Sequence, residues 1–327
     1  MMLPVLAVVV GLVLLMWSAE RFVDGAASTS SHLGLSPLLI GMLVIGFGTS
    51  APELVVSVIA AAQDNPGLAL GNAYGSNIVN IGLILGLVAL ISPLAVHSSM
   101  VRRELPVLGA VTLLSALLLL GGVLGRLEGG LLLLILAVFM GVSIRHGMKM
   151  PDDPISTDTE QDIASHPMSL RAGLIWTAIG LLLLVVSSRL LVWGAVAIAQ
   201  SFGVSDLIIG LTVVAVGTSL PELASSISAL RRGEHDLVLG NVVGSNLFNT
   251  LGVVGLAALI TPIEVASEVL LRDWTLMTAM TVLMTVFALG WRGRAGRINR
   301  LEGGALLAMY LVYTGFMVLL VVQGGSA

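Results

Sequence analysis

The sequence predicts an all-α integral membrane protein, with ten transmembrane helices in two inverted-topology five-helix repeats and breaks in helices 2 and 7. Three observations predict it. Of 327 residues, 57% are apolar and 10% charged, with a mean hydropathy of +1.03. A soluble domain carries roughly 25% charged residues. Ten apolar stretches recur along the chain. Shifted by 169 residues, the sequence also overlays itself and brings one Pro-Glu motif onto another.

The first five stretches are Leu3–Trp17, Leu35–Ala62, Leu68–Ile91, Leu105–Leu124 and Leu131–Ile144. The second five are Leu170–Ser188, Leu207–Leu230, Leu237–Ile260, Leu276–Trp291 and Leu306–Val322. Most come close to the ~20 residues that an α-helix needs to cross hydrocarbon, and tilt absorbs the differences. The first lacks a basic leader and a small-residue cleavage site, so it is expected to be retained. There are no cysteines, which excludes disulfides and thiolate metal sites. His32, His97, His146, His166 and His235 fall in or beside predicted loops and show no metal-ligand spacing. A net charge of −4 implies no charged partner, and nucleic acid is not expected to be one.

Basic residues predict the orientation. With the N-terminus outside, inner connections hold Arg102, Arg103, Arg145, Lys149, Arg171, Arg231, Arg232, Arg292, Arg294, Arg297 and Arg300. Outer ones hold only Arg126 and Arg272, while Arg21 and Arg189 lie near helix ends. This positive-inside bias places both termini outside, or in the periplasm, of an inner or plasma membrane protein.

The duplication is explicit. Gly48–Ser57, GTSAPELVVS, overlays Gly217–Ser226, GTSLPELASS. Leu68–Asn80, LALGNAYGSNIVN, overlays Leu237–Asn249, LVLGNVVGSNLFN. Between Gly41–Pro93 and the shifted partners, 24 of 53 positions are identical. Arg103-Glu104 meets Arg272-Asp273, and RLEGG at Arg126 recurs at Arg300. The organisation is therefore a first repeat over 1–147 (repeated motif 41–93), a polar inner linker over 148–168, and a second repeat over 169–327 (motif 210–262). Five spans per copy force the second to enter the membrane from the opposite side, and transporters so built bind substrate at midplane between the repeats.

Glu53 and Glu222 fall mid-span, where a carboxylate costs about 2.5–3.5 kcal/mol on insertion scales. No Lys or Arg is expected at that depth, so the natural partner is a cation. Pro52 and Pro221 remove an N–H and loosen the preceding turn, aided by Gly46, Gly48 and Gly217. Thr49, Ser50 and Glu53, like Thr218, Ser219 and Glu222, lie three or four residues apart and share a face. Ser76 with Asn80 and Ser245 with Asn249 follow the same spacing, with interhelical hydrogen bonding as the rival role. Gly71, Gly75, Gly240 and Gly244 are expected to serve close helix packing. A hard cation such as Ca²⁺ takes about 6–8 oxygens, which two bidentate glutamates and the Thr49 and Thr218 carbonyls approach. Na⁺ would compete for the same ligands, and competition at one alternating site is antiport.

At these residues the chain resembles the sodium/calcium exchanger family of the Ca²⁺:cation antiporters, through two copies of G-T-S-x-P-E with G-S-N-x-x-N. The resemblance implies Ca²⁺ coordination by Glu53, Glu222 and the carbonyls of Thr49 and Thr218. It implies Na⁺ contacts from Ser50, Ser219, Ser76, Ser245 and backbone near Gly46 and Ala215, with Asn80 and Asn249 completing a central position. It also implies helices 1 and 6 sliding over the other eight, and three Na⁺ per cycle. Some relatives carry Asp where this chain has Asn249, so Asn249 argues against K⁺ cotransport. The proton-coupled branch has G-N-A-x-E at the first motif, whereas Thr49-Ser50 and Thr218-Ser219 here favour Na⁺. The expected function is Na⁺/Ca²⁺ antiport, with Ca²⁺/H⁺ antiport as the alternative and a cation channel as a rival class. The partners are Ca²⁺, Na⁺ or H⁺ and the lipid bilayer, no cofactor is expected, and the chain is expected to act as a monomer. An intramembrane hydrolase lacks H-E-x-x-H, a G-x-S-x-G elbow or a midplane His base.

Overall fold

A computed structural model describes residues 2–33, 41–62, 64, 66–96, 100–147, 168–201, 215–289 and 296–322. Most of the linker, 148–167, and the starts of spans two and seven lie outside these. The helices are α1 (Met2–Leu33), α2 (Phe47–Thr49, entered through a π-helical Gly41–Gly46), α3 (Ala51–Ala62), α4 (Pro66–Ile91), α5 (Leu105–Leu119) and α6 (Arg126–Gly147). The second set is α7 (Leu170–Ser201), α8 (Ala215–Thr218), α9 (Leu220–Arg231), α10 (His235–Ile260), α11 (Val269–Ala288) and α12 (Arg300–Val322). Seven of these are long and apolar enough to cross a membrane. The other crossings are the pairs α2–α3 and α8–α9, each broken at one residue, and α5, which the charged turn Arg102–Glu104 leads into. The chain is thus a multi-pass membrane protein of two inverted five-helix repeats. His32 sits in the last turn of α1 and His235 opens α10, so both stand at helix ends, beside the connections.

Burial separates a centre from a periphery. The most apolar windows of α4 and α10 are 72% and 78% buried, against 17–28% for α1, α6, α7, α11 and α12. The exposed positions of the outer helices are large and aliphatic, such as Leu6, Val9, Leu134 and Leu182. This is the pattern of a surface solvated by lipid.

The inversion shows directly where α1 meets α7. A Cβ on Gly11 would lie 2.9 Å from Leu191, on Gly180 2.7 Å from Phe22, and on Gly194 2.6 Å from the Pro4 carbonyl; Gly25 abuts Thr177. As numbers rise along α1 they fall along α7, so the helices are antiparallel. Each contact also maps onto another when the repeats are exchanged. Four glycines let two 32-residue helices touch backbone to backbone.

The repeated RLEGG acquires a structural reason. Glu128 Oε2 accepts from Gly125 N at 3.0 Å, and Glu302 Oε2 from Asn299 N at 2.7 Å, so each Glu caps its own helix. Arg126 Nη2 reaches the Ile260 carbonyl at the end of α10 (3.4 Å), and Arg300 Nη2 the Ile91 carbonyl at the end of α4 (3.1 Å), where a helix dipole favours positive charge. Gly129 then packs on Gly255, and Gly303 on Gly86. Beyond the expected all-α content, two small antiparallel ribbons close the ends: β1 (Leu94–Val96) pairs with β4 (Gly296–Ile298), and β2 (Val123–Leu124) with β3 (Ile263–Glu264). Each joins one repeat to the other. The turn after α9 is a Schellman closure, with Glu234 N on Ala229 O and Gly233 N on Leu230 O at 3.0 Å and Gly233 at φ 76°. It presents Arg231 to Glu20 (3.5 Å) and Arg232 to Asp24, fastening α9 to α1.

Candidate ion site

The breaks in the two split helices share one backbone conformation. Ser50 has φ −79°, ψ 10° and Ser219 φ −90°, ψ 8°, the bridge region between helix and extended backbone. Both breaks fall two residues before a proline. The loosening expected around Gly48 therefore localises at the hydroxyl residue, and Glu53 and Glu222 stand in the first turns of the restarted helices.

Each glutamate is held by the other repeat. Ser219 Oγ donates to Glu53 Oε1 at 3.2 Å, and Ser76 Oγ to the same oxygen at 3.3 Å. Ser50 Oγ lies 2.9 Å from Glu222 Oε1 and 2.9 Å from the Gly46 carbonyl. Ser245 Oγ also donates to the Gly46 carbonyl at 2.9 Å, so that oxygen already accepts hydroxyls. The close approach needs glycine, because a Cβ on Gly46 would lie 2.9 Å from Ser245 N. Gly244, from the expected packing set, abuts Met42, whereas Gly71 and Gly75 meet nothing within 4 Å among the described residues. Thr49 Oγ1 donates to the Ile45 carbonyl at 2.9 Å, Thr218 ends α8, and Ala215 opens it.

Both carboxylates are at most 1% exposed. Among the described residues the ion pairs use Arg21, Arg231, Arg232 and Arg272, none of them with Glu53 or Glu222. Glu53 Oε2, Glu222 Oε2, Asn80 Oδ1 and Asn249 Oδ1 are buried without a hydrogen-bond partner among the described residues. They are two pairs related by the repeat, and all are acceptors. A buried acceptor left unpaired costs several kcal/mol, and a buried carboxylate more, so a bound cation, or a proton on the acids, would relieve these oxygens. His, Cys, Asp and Glu do not gather in threes among the described residues, so neutral oxygens must supplement the two acids. An all-oxygen donor set suits hard cations.

Residues that the sequence reading passed over frame the site. Asn72 Nδ2 donates to the Glu53 carbonyl (3.2 Å) and Ser57 Oγ (3.1 Å); Asn241 Nδ2 donates to the Glu222 carbonyl (3.0 Å) and Ser226 Oγ (2.8 Å). Asn80 Nδ2 donates to Asn246 Oδ1 at 3.0 Å, and Asn249 Nδ2 to Asn77 Oδ1 at 3.2 Å. Their signal was present, since both copies of the string carry three asparagines in register. The third was selected because it stands four residues after the serine, yet the first stands four residues before it and shares the same face. Helix α4 turns π-helical over Val79–Leu85 and α10 over Asn249–Val253, beside those third asparagines.

Two crossed, discontinuous helices with buried acids where they meet define a class: inverted-repeat membrane proteins that hold ions between their halves. The chain belongs to the sodium/calcium exchanger protein family, whose model matches residues 3–145 and 172–319. CaxA of Alkalimonas amylolytica is 45% identical over 96% of this chain and 98% of its own. The inner membrane protein YrbG of Escherichia coli (strain K12) is 37% identical over 97% of each. Structures of the sodium-calcium exchanger NCX_Mj soaked in Na⁺ with Ca²⁺ or Sr²⁺ superpose with TM-scores of 0.82 and 0.83, at 32% and 31% identity, covering 96% of this chain and 98% of that one.

Proposed function

We propose that this chain is a secondary active antiporter that exchanges Na⁺ for Ca²⁺ by alternating access at the Glu53–Glu222 site. The observation that carries the proposal is the set of four buried, donor-free oxygens from Glu53, Glu222, Asn80 and Asn249. Two carboxylates neutralise one Ca²⁺, and the Thr49 and Thr218 carbonyls complete its shell. Na⁺ takes the same acids with Ser50, Ser219, Ser76, Ser245 and backbone oxygens near Gly46 and Ala215, Asn80 and Asn249 serving the central position. Shared ligands make occupancy exclusive, which is the condition for exchange rather than co-transport.

The likeness to NCX_Mj, a sodium-calcium exchanger, supports this reading, as does the name of a 31% identical relative, sodium/calcium exchanger MaX1 of Methanosarcina acetivorans. The protein resides in the inner or plasma membrane, acts as a monomer, and has both termini outside. The basic-residue bias and the name of the E. coli relative support that placement. Uptake of radiolabelled Ca²⁺ into proteoliposomes under an imposed Na⁺ or H⁺ gradient tests the function. Uptake driven by an outward Na⁺ gradient is the expected result. Uptake driven by H⁺ alone would make the chain a Ca²⁺/H⁺ antiporter, and single-channel currents would make it a channel.

A further inference from the structure

An asparagine can help a cation only with its oxygen. Its amide carries an acceptor and a two-hydrogen donor on one planar group, and a half-turn exchanges them. Asn249 and Asn80 are 0% and 1% exposed, and each leaves its Oδ1 without a partner among the described residues. Something must hold that orientation, because a flipped amide would aim two N–H bonds at the place where positive charge belongs.

The holding groups are on the page. Asn77 Nδ2 lies 2.9 Å from Thr250 Oγ1 and 3.3 Å from Met277 Sδ, so both of its donor hydrogens are committed away from Asn249. Its Oδ1 is thereby turned toward Asn249, and accepts from Asn249 Nδ2 at 3.2 Å. With that NH₂ tied down, the free end of Asn249 is an oxygen. Across the pseudo-two-fold axis, Asn246 Oδ1 accepts from Asn80 Nδ2 at 3.0 Å with the same consequence. Asn77 and Asn246 are each 1% exposed. The relay is longer on one side, since the repeat puts Ile81 and Leu108 where the other half has Thr250 and Met277.

We propose that Asn77 and Asn246 are positioning residues, which lock the amides of Asn249 and Asn80 with their oxygens facing the transported cation. The proposal rests on the reading of the Glu53–Glu222 site as the Ca²⁺ site. Partners that orient metal ligands in this way commonly change affinity by roughly ten- to a hundredfold when removed.

A carboxylate has no donor end, so orientation ceases to matter if the positioned amide is replaced by one. The test is a double-mutant cycle in proteoliposomes, which reads the half-saturating Na⁺ concentration for Na⁺-driven Ca²⁺ flux and, on the same protein without Ca²⁺, its Tm. Asn77→Leu should raise half-saturation about tenfold or more in the native background. In an Asn249→Asp background it should change it by no more than about twofold, the scatter of uncoupled sites. The mirrored cycle, Asn246→Leu with and without Asn80→Asp, should behave alike, and decides the matter if Asn77→Leu protein does not fold. Equal losses in both backgrounds, or no loss in the native one, would overturn the positioning role and assign these asparagines to helix packing. Failure of the site itself reads differently: wild-type protein would show no Ca²⁺ uptake, or Glu53→Gln would leave it intact.

Discussion

Glu53 and Glu222 each have one oxygen hydrogen-bonded by serine and one with no hydrogen-bond partner among the described residues. That division assigns the work: the bonded oxygen fixes the rotamer and the free one meets the ion. Replacing either acid with Gln keeps the shape, halves the charge and introduces a donor. Glu53→Gln or Glu222→Gln should therefore abolish Ca²⁺ uptake while the protein still inserts and elutes as a monodisperse species; near-normal uptake would move the site elsewhere. Ser219 contributes a hydroxyl across the repeat boundary, and Ser219→Ala removes one of the two donors to Glu53 Oε1. A hydrogen bond to a charged group is worth about 1.5–3 kcal/mol, so Ca²⁺ half-saturation should rise by roughly ten- to a hundredfold. An unchanged value would mean that Ser76 suffices.

At the scale of elements, the α1–α7 seam decides whether that pair can move as a unit. Its closest approaches are glycine on backbone at Gly11, Gly25, Gly180 and Gly194, with the Trp17–Trp176 ring pair packed between them. The sliding of these helices that the family resemblance implies would require the pair to stay joined. A methylene inserted here has no free space, and overpacking of this kind costs about 1–3 kcal/mol. Gly180→Val should lower Tm by several degrees and cut transport, whereas the same change at Gly141, which meets nothing within 4 Å among the described residues, should leave Tm unchanged. Equal Tm for both variants would show that the seam tolerates separation. The RLEGG copies show why that motif was legible only as a repeat. Its Glu makes a local capping bond to the residue before the motif, but its Arg bonds a helix end 134 or 209 residues away, a partner that a one-dimensional search does not bring together.

For the molecule as a whole, charge accounting gives a consequence of the proposed exchange. With two carboxylates, the Ca²⁺-loaded site is neutral and a site holding three Na⁺ carries one net positive charge. Moving one charge is worth about 2.3 kcal/mol per 100 mV, and 1.4 kcal/mol is a factor of ten, so such an inside-negative potential should shift the Ca²⁺ gradient about fiftyfold toward extrusion. Na⁺-driven Ca²⁺ flux with the potential clamped by K⁺ and valinomycin checks this. Indifference to the potential would mean electroneutral exchange. The proposed orientation is checked separately: a cysteine placed at the C-terminus of this cysteine-free chain should react with an impermeant maleimide in intact cells. Labelling only after permeabilisation would reverse the topology.

The duplication, the membrane spans, the broken helices and the intramembrane acids were all legible in the sequence. Each depends on local or periodic information: hydropathy over about 20 residues, a proline's missing N–H, or a string matching itself 169 positions away. Which repeat completes which half of the site was not legible. Ser50 with Glu222, Ser219 with Glu53, Asn77 with Asn249 and Asn80 with Asn246 are pairs 166 or 172 residues apart. Nothing in either repeat alone distinguishes a serine that serves its own glutamate from one that serves its partner's. Antiparallel packing of the two halves settles it, because crossing the broken helices at their hydroxyls turns each repeat's donors onto the other repeat's acceptors.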